Sequence, residues 1–287
     1  MNRRLANKEN AIRLVLLLFA LSSLLFLFII FIFILSEGVP LFAKVGVKNI
    51  TMGTRWAPTK GFFGIFPMIV SSFMVTLGAL VLGAPLALGC STYLSEYAGK
   101  KTKMVLKPSL ELLAGIPSVV YGFLGVVYIV PLIREYLGGS GFSILATSLV
   151  LGIMILPTIT SISFDALMSV PAAFREGSLA MGATKWQTVY KVVLPAARSG
   201  ILASFILGMG RAIGETMAVI MVAGNALKIP TSLLDPLRTL TSNIALELAY
   251  ATGDHRRALF STGVVLLVII MSLNLVANFW VKRRVDK

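Results

Sequence analysis

Charged side chains are scarce in this chain. Asp, Glu, Lys and Arg make up 13% of its 287 residues, whereas hydrophobic residues make up 57%. A soluble globular domain carries about 25% charged residues. The composition therefore excludes an ordinary water-soluble domain and predicts an integral membrane protein.

Cysteine and histidine are almost absent. Cys90 lies inside an apolar segment, His255 lies in a loop, and neither residue type occurs a second time. These counts exclude a disulfide framework, a His/Cys metal site and a Cys–His catalytic dyad. We expect His255 to be a solvated loop residue, and we expect no metal and no cofactor.

A nucleotide-binding loop of the form G-x-x-x-x-G-K-[ST] is missing as well. The nearest sequence, Gly99-Lys100-Lys101, lacks both the upstream glycine and the hydroxyl residue of that motif. We therefore expect a chain that is not an enzyme and that depends on partner subunits for any ATP hydrolysis.

Six segments with few or no charges are each long enough to cross a hydrocarbon core of about 30 Å as a helix. They cover residues 14–35, 66–93, 112–131, 143–164, 199–224 and 258–281. No loop between them is long enough to hold a core of its own. The sequence predicts an all-α integral membrane protein with six transmembrane helices in a single domain, residues 1–287.

The basic residues favour one orientation of these helices. If the N-tail, residues 1–13, is cytoplasmic, then cytoplasmic segments hold 16 of the 26 Lys and Arg residues and outer segments hold nine. This asymmetry predicts that both termini are cytoplasmic. The first apolar run, about 20 residues, exceeds the ~7–15 of a signal peptide, so we expect it to remain as a span.

The net charge of +14 does not indicate a nucleic acid partner. The basic residues flank the spans instead of forming a patch interleaved with aromatic residues, so membrane lipid is the expected neighbour. In the outer loop 36–65, Trp56 is predicted to anchor at the membrane interface. In the outer loop 225–257, the stretch SNIALELAY predicts an amphipathic helix beside the membrane surface.

The stretch GRAIGETMAV places Arg211 and Glu215 near the middle of the span 199–224. Arg211 is too far from either end for its side chain to reach the interface, so it needs a partner or water inside the bundle. A spacing of four residues predicts that Arg211 and Glu215 meet on one helix face. Gly210 and Gly214 beside them would let another helix approach.

Two interpretations of this pair stay open. It is either an internal ion pair that fixes packing, or part of an anion site in which the planar guanidinium binds oxyanion oxygens, Glu215 balances its charge and Thr216 adds a hydroxyl donor. Ser118 and Tyr121, near the proline break of LAGIPSVVYG, are further candidates for the same pathway, although packing alone explains them too.

The long inner loop, residues 165–198, has apolar residues at helical spacing, a glycine break at Gly182 and a proline stop at Pro195. The pattern of Glu176, Gly182 and V-V-L-P, residues 192–195, resembles the cytoplasmic coupling loop of ABC importer permeases. Gly177 and Ser178 stand where that family often has two alanines. We interpret the segment as a helical hairpin that packs against a partner.

Further stretches, namely EGVPLF, FFGIFPMI, LAGIPSVVYGFLG and GRAIGETMAVIMVAGN, resemble the PstC-type permease subunits of phosphate-specific ABC importers. The resemblance implies a type I ABC importer permease fold with a cytoplasmic coupling helix, in a bacterial-type plasma (inner) membrane. It also implies that phosphate is the substrate. The implied partners are a PstA-type second permease, two ATP-binding subunits and a phosphate-binding protein.

The resemblance further implies that the coupling loop contacts the ATPase. The residues expected there are Arg175, Glu176, Gly182, Ala183, Thr184 and Gln187. The sequence leaves three alternative functions open: a permease for molybdate or sulfate, a passive anion channel, and a phosphate-responsive membrane scaffold or sensor.

Overall fold

The computed structural model describes residues 3–285, with the side chains of residues 12–276 and of Phe279. Five helices in this part of the chain are long and apolar enough to span a membrane. They occupy Ile12–Val45, Phe66–Tyr97, Ser118–Tyr136, Ile144–Met168 and Gly253–Val276. The all-α membrane fold predicted from the sequence is confirmed.

Fourteen helices and one hairpin follow along the described chain. The helices are α1 Arg3–Val45, α2 Val47–Thr51, α3 Phe66–Thr92, α4 Lys100–Ala114, α5 Ser118–Leu124, α6 Val130–Tyr136, α7 Ile144–Met168, α8 Ala172–Ala180, α9 Lys185–Thr188, α10 Leu194–Ala196, α11 Arg198–Gly214, α12 Met217–Val222, α13 Leu240–Glu247 and α14 Gly253–Val285. The hairpin pairs β1 Trp56–Ala57 with β2 Phe62–Phe63 in antiparallel register. Short π-helical turns, Tyr93–Tyr97, Gly125–Ile129 and Val189–Val193, extend three of the helices.

Two predicted span boundaries are wrong. Helix α1 continues through Pro40 to Val45, ten residues into the segment expected to be the outer loop 36–65. The third span begins at Ser118 and not at residue 112, because the chain leaves the helical conformation between α4 and α5. Residues 1–11 and 280–287, which hold most of the N-tail and the C-terminal cations, lie outside the described side chains.

The core of the bundle is the contact between α3 and α7, which run in the same direction. Small residues let the two backbones meet: a Cβ on Gly83 would lie 2.6 Å from the carbonyl oxygen of Gly152. Further along, the Thr160 hydroxyl donates to the Ala87 carbonyl at 3.3 Å. These contacts make α3 and α7 a single closely packed unit.

Helix α1 is peripheral. Its residues 12–30 are almost all exposed, and only its second half packs, against α14. There the Ser261 hydroxyl donates to the Gly38 carbonyl at 2.7 Å, and the rings of Phe33 and Phe260 meet edge to face at 5.4 Å. A helix this apolar and this exposed faces lipid or another subunit.

One end of the bundle, which we call the hairpin face, consists of residues 44–64 and 225–257. Trp56 is only 6% exposed there, and its indole Nε1 donates to Glu247 Oε2 at 2.9 Å. Its expected role as an interface anchor is therefore wrong, because the ring is buried within the protein. The expected amphipathic surface helix is also wrong: α13 covers only Leu240–Glu247, and its Leu240, Thr241, Ser242, Asn243 and Glu247 are buried.

Glu247 is the centre of a buried polar network on the hairpin face. Its carboxylate accepts from Arg238 Nη1 at 2.6 Å and lies 2.8 Å from His255 Nε2, in addition to the bond from Trp56. The side chains of Glu247, Arg238 and His255 are 9%, 14% and 15% exposed. The expectation that His255 is solvated is thus wrong, since it fills a place beside a buried carboxylate.

The loop before α13 is held by Asp235. The backbone amide and hydroxyl of Thr231 and the backbone amide of Ser232 all donate to its carboxylate. These hydrogen bonds, together with nearby Lys228, lower the pKa of Asp235 from 3.8 to about 2. The loop therefore keeps its shape at any pH at which this carboxylate stays ionised.

Candidate functional site

The fifth predicted span, residues 199–224, is broken at Glu215. Helix α11 ends at Gly214, Glu215 has an extended backbone with φ −68° and ψ 134°, and α12 begins at Met217. Two groups replace the lost helical bonds: Glu215 Oε1 accepts from the Ala218 amide at 3.2 Å, and the Glu215 carbonyl accepts from the Thr241 hydroxyl at 2.8 Å. A broken helix is tolerated in a membrane where neighbours satisfy its freed backbone groups in this way.

The break separates Arg211 from Glu215. Within the described residues the two side chains form no ion pair, so the predicted pairing on one helix face is wrong. Arg211 Nη1 instead donates to the hydroxyl of Thr158 on α7 at 3.1 Å. Because a guanidinium has five N–H donors and Thr158 takes one, a half-buried cation remains with donors to spare.

Arg211 lies deep in the bundle. Its partner Thr158 is ten residues from the nearer end of α7 at Met168, which is about 15 Å along the axis at 1.5 Å per residue. In the described part of the chain no carboxylate pairs with Arg211. A charge at such a depth without a counter-charge is costly, and residues of this kind mark ion or substrate pathways.

A second helix break lies beside the first. Helix α4 ends at Ala114 and α5 begins at Ser118, and the Tyr121 hydroxyl spans the break by donating to the Leu113 carbonyl at 2.7 Å. Helix α5 packs closely on α12, since a Cβ on Gly122 would lie 2.9 Å from the Cα of Ala218.

The candidate pathway residues thus gather around two broken helices. Arg211 lies one turn before the end of α11, and Tyr121 bridges the gap between α4 and α5. Glu215, Thr216 and Ser118 stand at the breaks themselves. Thr216 donates its hydroxyl to the Gly214 carbonyl at 3.3 Å. Neither Thr158, in an apolar span, nor Thr241, in an outer loop, was predicted. A threonine shows the same local sequence pattern whether it only packs or forms a hydrogen bond to a distant group.

The glycines beside Arg211 face open space in this chain. A Cβ on Gly210 or Gly214 would have no neighbour within 4 Å, whereas one on Gly208 would meet Ile159 at 2.6 Å. Gly208 therefore serves packing against α7, and the face that carries Gly210 and Gly214 is free for contact with something outside the chain.

The other end of the bundle, the coupling face, consists of residues 169–197. Gly182 has φ +85°, a conformation that favours glycine, and it turns the chain between α8 and α9. Thr184 and Gln187 form a capping box at the start of α9, with the Thr184 amide donating to Gln187 Oε1 at 2.8 Å. Glu176 is exposed and Ala183 is half-buried.

Large apolar side chains are exposed on the coupling face. They are Phe174, Leu179, Met181, Trp186 and Tyr190, and the exposed fraction of Met181 reaches 89%. The rings of Trp186 and Tyr190 stack with centroids 6.2 Å apart. Several large apolar side chains exposed on one short segment, two of them stacked, are typical of a protein contact. The exposure of these side chains was not predictable from the sequence, because the same amphipathic pattern fits a hairpin that turns them inward.

Arg175 does not face outward with the rest of the expected contact set. Its Nη2 donates to Glu96 Oε1 at 2.7 Å, and the side chains of Arg175 and Glu96 are 23% and 7% exposed. Arg175 is thus half-buried and turned toward Glu96, and its expected contact with the ATPase stays a prediction. Glu96 was missed because it is the carboxylate of a short connection that looks like a solvated loop.

Comparison with known proteins agrees with this architecture. A family model described as "Binding-protein-dependent transport system inner membrane component" matches residues 79–286. The chain is 43% identical over 260 residues to the "Probable ABC transporter permease protein YqgH" of Bacillus subtilis, covering 88% of this chain and 84% of the relative. It is 32% identical over 250 residues to the "Phosphate transport system permease protein PstC" of Xylella fastidiosa, covering 80% and 77%.

A solved structure shares the fold. A chain of a bacterial alginate ABC transporter, crystallised with an alginate pentasaccharide-bound periplasmic protein, superposes with a TM-score of 0.68 at 15% identity, covering 96% of each chain. At this identity the likeness shows the fold alone, which is that of type I ABC importer permeases. The match to the family model covers well over half of the chain, and this protein belongs to the family of inner membrane components of binding-protein-dependent transport systems.

Proposed function

We propose that this chain is the permease subunit through which inorganic phosphate crosses the membrane, driven by ATP hydrolysis in partner subunits. The observation that carries the proposal is Arg211, a deep guanidinium held by one neutral hydroxyl and paired with no carboxylate among the described residues. Relatives named as phosphate transport permeases support the same substrate.

The chemistry of Arg211 suits an oxyanion that stays only briefly. A guanidinium offers two parallel N–H donors to two phosphate oxygens and keeps its charge at any physiological pH. Ser118 stands at one break and would add a neutral donor. The Tyr121 and Thr216 hydroxyls would do so only after releasing the Leu113 and Gly214 carbonyls to which they donate here. Glu215, held at the break by the Ala218 amide, would repel a bound dianion and so favour its release.

Partners follow from the exposed surfaces. Family membership implies ATP-binding and substrate-binding subunits, and we assign the apolar side chains of the coupling face to a groove in the ATP-binding subunit. The open face of Gly210 and Gly214 would receive a second, PstA-type permease. A phosphate-binding protein would then dock on the hairpin face, which is the outer side if both termini are cytoplasmic.

The working complex would contain this chain, the second permease, two ATP-binding subunits and the binding protein in a bacterial inner membrane. Closure of the ATP-binding subunits would move the coupling face, and the closely packed α3 and α7 would carry that motion to the Arg211 region as rigid bodies. The site would then open to each side of the membrane in turn.

The test is phosphate uptake by proteoliposomes that contain the complete wild-type complex. We expect uptake that requires both ATP and the phosphate-loaded binding protein, and that a tenfold excess of sulfate or molybdate leaves nearly unchanged. Uptake without ATP would indicate a passive channel. Strong competition by sulfate or molybdate would assign the chain to another oxyanion.

A further inference from the structure

Glu96 and Arg175 join the coupling face to the membrane bundle. Glu96 lies in the π-helical turn that extends α3, and Arg175 lies on α8. Arg175 Nε donates to Glu96 Oε2 at 3.2 Å while Nη2 donates to Oε1 at 2.7 Å, so both carboxylate oxygens are engaged by one planar fork. This two-point contact fixes the orientation as well as the distance of the two side chains.

The same guanidinium also holds the end of α7. Its Nη2 donates to the Leu167 carbonyl at 2.9 Å and its Nη1 donates to the Val170 carbonyl at 2.6 Å. Carbonyls at the C-terminal end of a helix lack helical partners and attract a positive charge. Arg175 therefore connects three elements at one point: α8 on the coupling face and the ends of the two long helices α3 and α7.

A second contact supports the same connection. Lys185 at the start of α9 places its ammonium 4.8 Å from the ring centre of Tyr97, in the π-helical turn that contains Glu96. The hydroxyls of Ser178 and Thr188 lie 2.9 Å apart and tie α8 to α9. Helices α8 and α9 are thus tied to each other, and their polar contacts to the turn that extends α3 include Glu96 and Tyr97.

The contact of Arg175 with the end of α7 is connected to the intramembrane site through one continuous helix. Leu167 and Thr158 are nine residues apart on α7, about 14 Å along one helix. Thr158 binds Arg211, and α3 is locked to α7 by the contact of Gly83 with Gly152. A displacement of α8 that is transmitted to Leu167 therefore reaches the partner of Arg211 without crossing a flexible loop.

We propose that the Glu96–Arg175 ion pair is the joint that converts movement of the coupling face into movement of α3 and α7, so that both residues are positioning residues for ATP-driven transport. The inference rests on the proposed function. It assigns Arg175 a role inside this chain and adds Glu96, a residue outside the contact surface with the ATP-binding subunits.

The experiment measures the number of phosphate ions imported per ATP hydrolysed by purified, reconstituted complexes. Two variants weaken the joint without deleting a side chain: Glu96→Gln removes the charge, and Arg175→Lys keeps the charge but loses the planar fork. The matched control is Lys107→Gln, which removes an exposed ion pair with Asp165 at 3.5 Å on the same end of the bundle.

We expect both variants to hydrolyse ATP when the phosphate-loaded binding protein is added, with at least a tenfold lower ratio of phosphate to ATP. The control should stay within twofold of wild type. A purely structural contact would lower the yield of assembled complex and leave the ratio in the surviving complexes unchanged.

Two results would overturn the proposal: an unchanged ratio in assembled variants, or failure of both variants to assemble, which would make the pair structural. Each ratio is compared with that of the wild-type complex. A wild-type complex that hydrolyses ATP but imports no phosphate would instead refute the proposed function. The same variants would then be tested by the number of ions of the true substrate that they import per ATP hydrolysed.

Discussion

The buried carboxylate of Glu247 predicts a large loss of stability when it is removed. In Glu247→Ala three donors lose their shared acceptor at once: Trp56 Nε1, Arg238 Nη1 and His255. Arg238 is the costliest of these, because its side chain is only 14% exposed and would remain charged without a counter-ion.

The magnitude follows from this geometry. Removing one partner of a buried ion pair costs about 3–5 kcal/mol, mostly from the charge that stays buried. At about 2–4 °C per kcal/mol for a chain of this size class, the midpoint of thermal unfolding should fall by roughly 6–20 °C. Glu247→Gln keeps an acceptor oxygen in place and should cost less.

The assay is thermal unfolding of the detergent-solubilised protein, followed by intrinsic fluorescence, in which Trp56 itself reports on the hairpin face. The matched control is Asp254→Asn, which breaks a more exposed pair with Lys44 on the same face and should shift the midpoint by no more than about 2 °C. A shift of Glu247→Ala no larger than that of this control would refute the reasoning.

Three further predictions test other parts of the account. Gly83→Val should reduce the yield of folded protein severalfold, measured by size-exclusion chromatography, because a Cβ there would lie 2.6 Å from the Gly152 carbonyl oxygen. Trp186→Ala, which trims a 64% exposed ring, should lower co-purification of the ATP-binding subunit on the order of tenfold and leave the unfolding temperature unchanged. The pKa of Asp235 is lowered to about 2, most strongly by the Thr231 amide and then by the Thr231 hydroxyl and the Ser232 amide. The stabilisation of this loop by ionised Asp235 is therefore complete above pH 3.8 and is lost as pH falls through about 2. Hydrogen exchange of the Thr231 and Ser232 amides, corrected for its intrinsic pH dependence, should therefore be constant from pH 5 to 8 and accelerate only towards pH 2; acceleration already at pH 5 would contradict this.

The membrane fold was predictable because it depends on composition and segment length. Apolar runs of 20 residues have only helices available to them in a bilayer, so the existence of the spans did not require tertiary information. Their ends were less predictable. Helix α1 continues past Pro40 because it packs against α14, where Gly38 contacts Phe260. The local sequence EGVPLF does not predict that contact.

The candidate site was predictable in its residues and not in its geometry. Arg211 stood out because a charge in an apolar run is rare, but its pairing with Glu215 assumed an unbroken helix. What breaks α11 is a set of distant replacements for its helical bonds, above all the Thr241 hydroxyl on the Glu215 carbonyl, 26 residues away in sequence. The local sequence around Thr241, a hydroxyl residue of an outer loop, gives no indication of this long-range hydrogen bond.

The buried polar networks were the least predictable part. His255, Trp56 and Glu247 lie far apart in sequence, and each by itself is typical of an outer loop. They meet because the hairpin, α13 and the start of α14 fold onto one another. Arg175 shows the same limit: its place in a coupling motif suggested an outward role, while the position of Glu96 at the end of α3 turned it inward.

The central claim is that Arg211 binds phosphate during passage, and phosphate uptake by the reconstituted complex with Arg211→Gln tests it most directly. Loss of two charge-assisted hydrogen bonds at about 1.5–3 kcal/mol each predicts uptake reduced on the order of 100-fold or more. Arg134→Gln is the control, since Arg134 lies outside the candidate pathway and donates to the Ser140 carbonyl in an exposed turn. Undiminished uptake by an assembled Arg211→Gln complex would contradict the account.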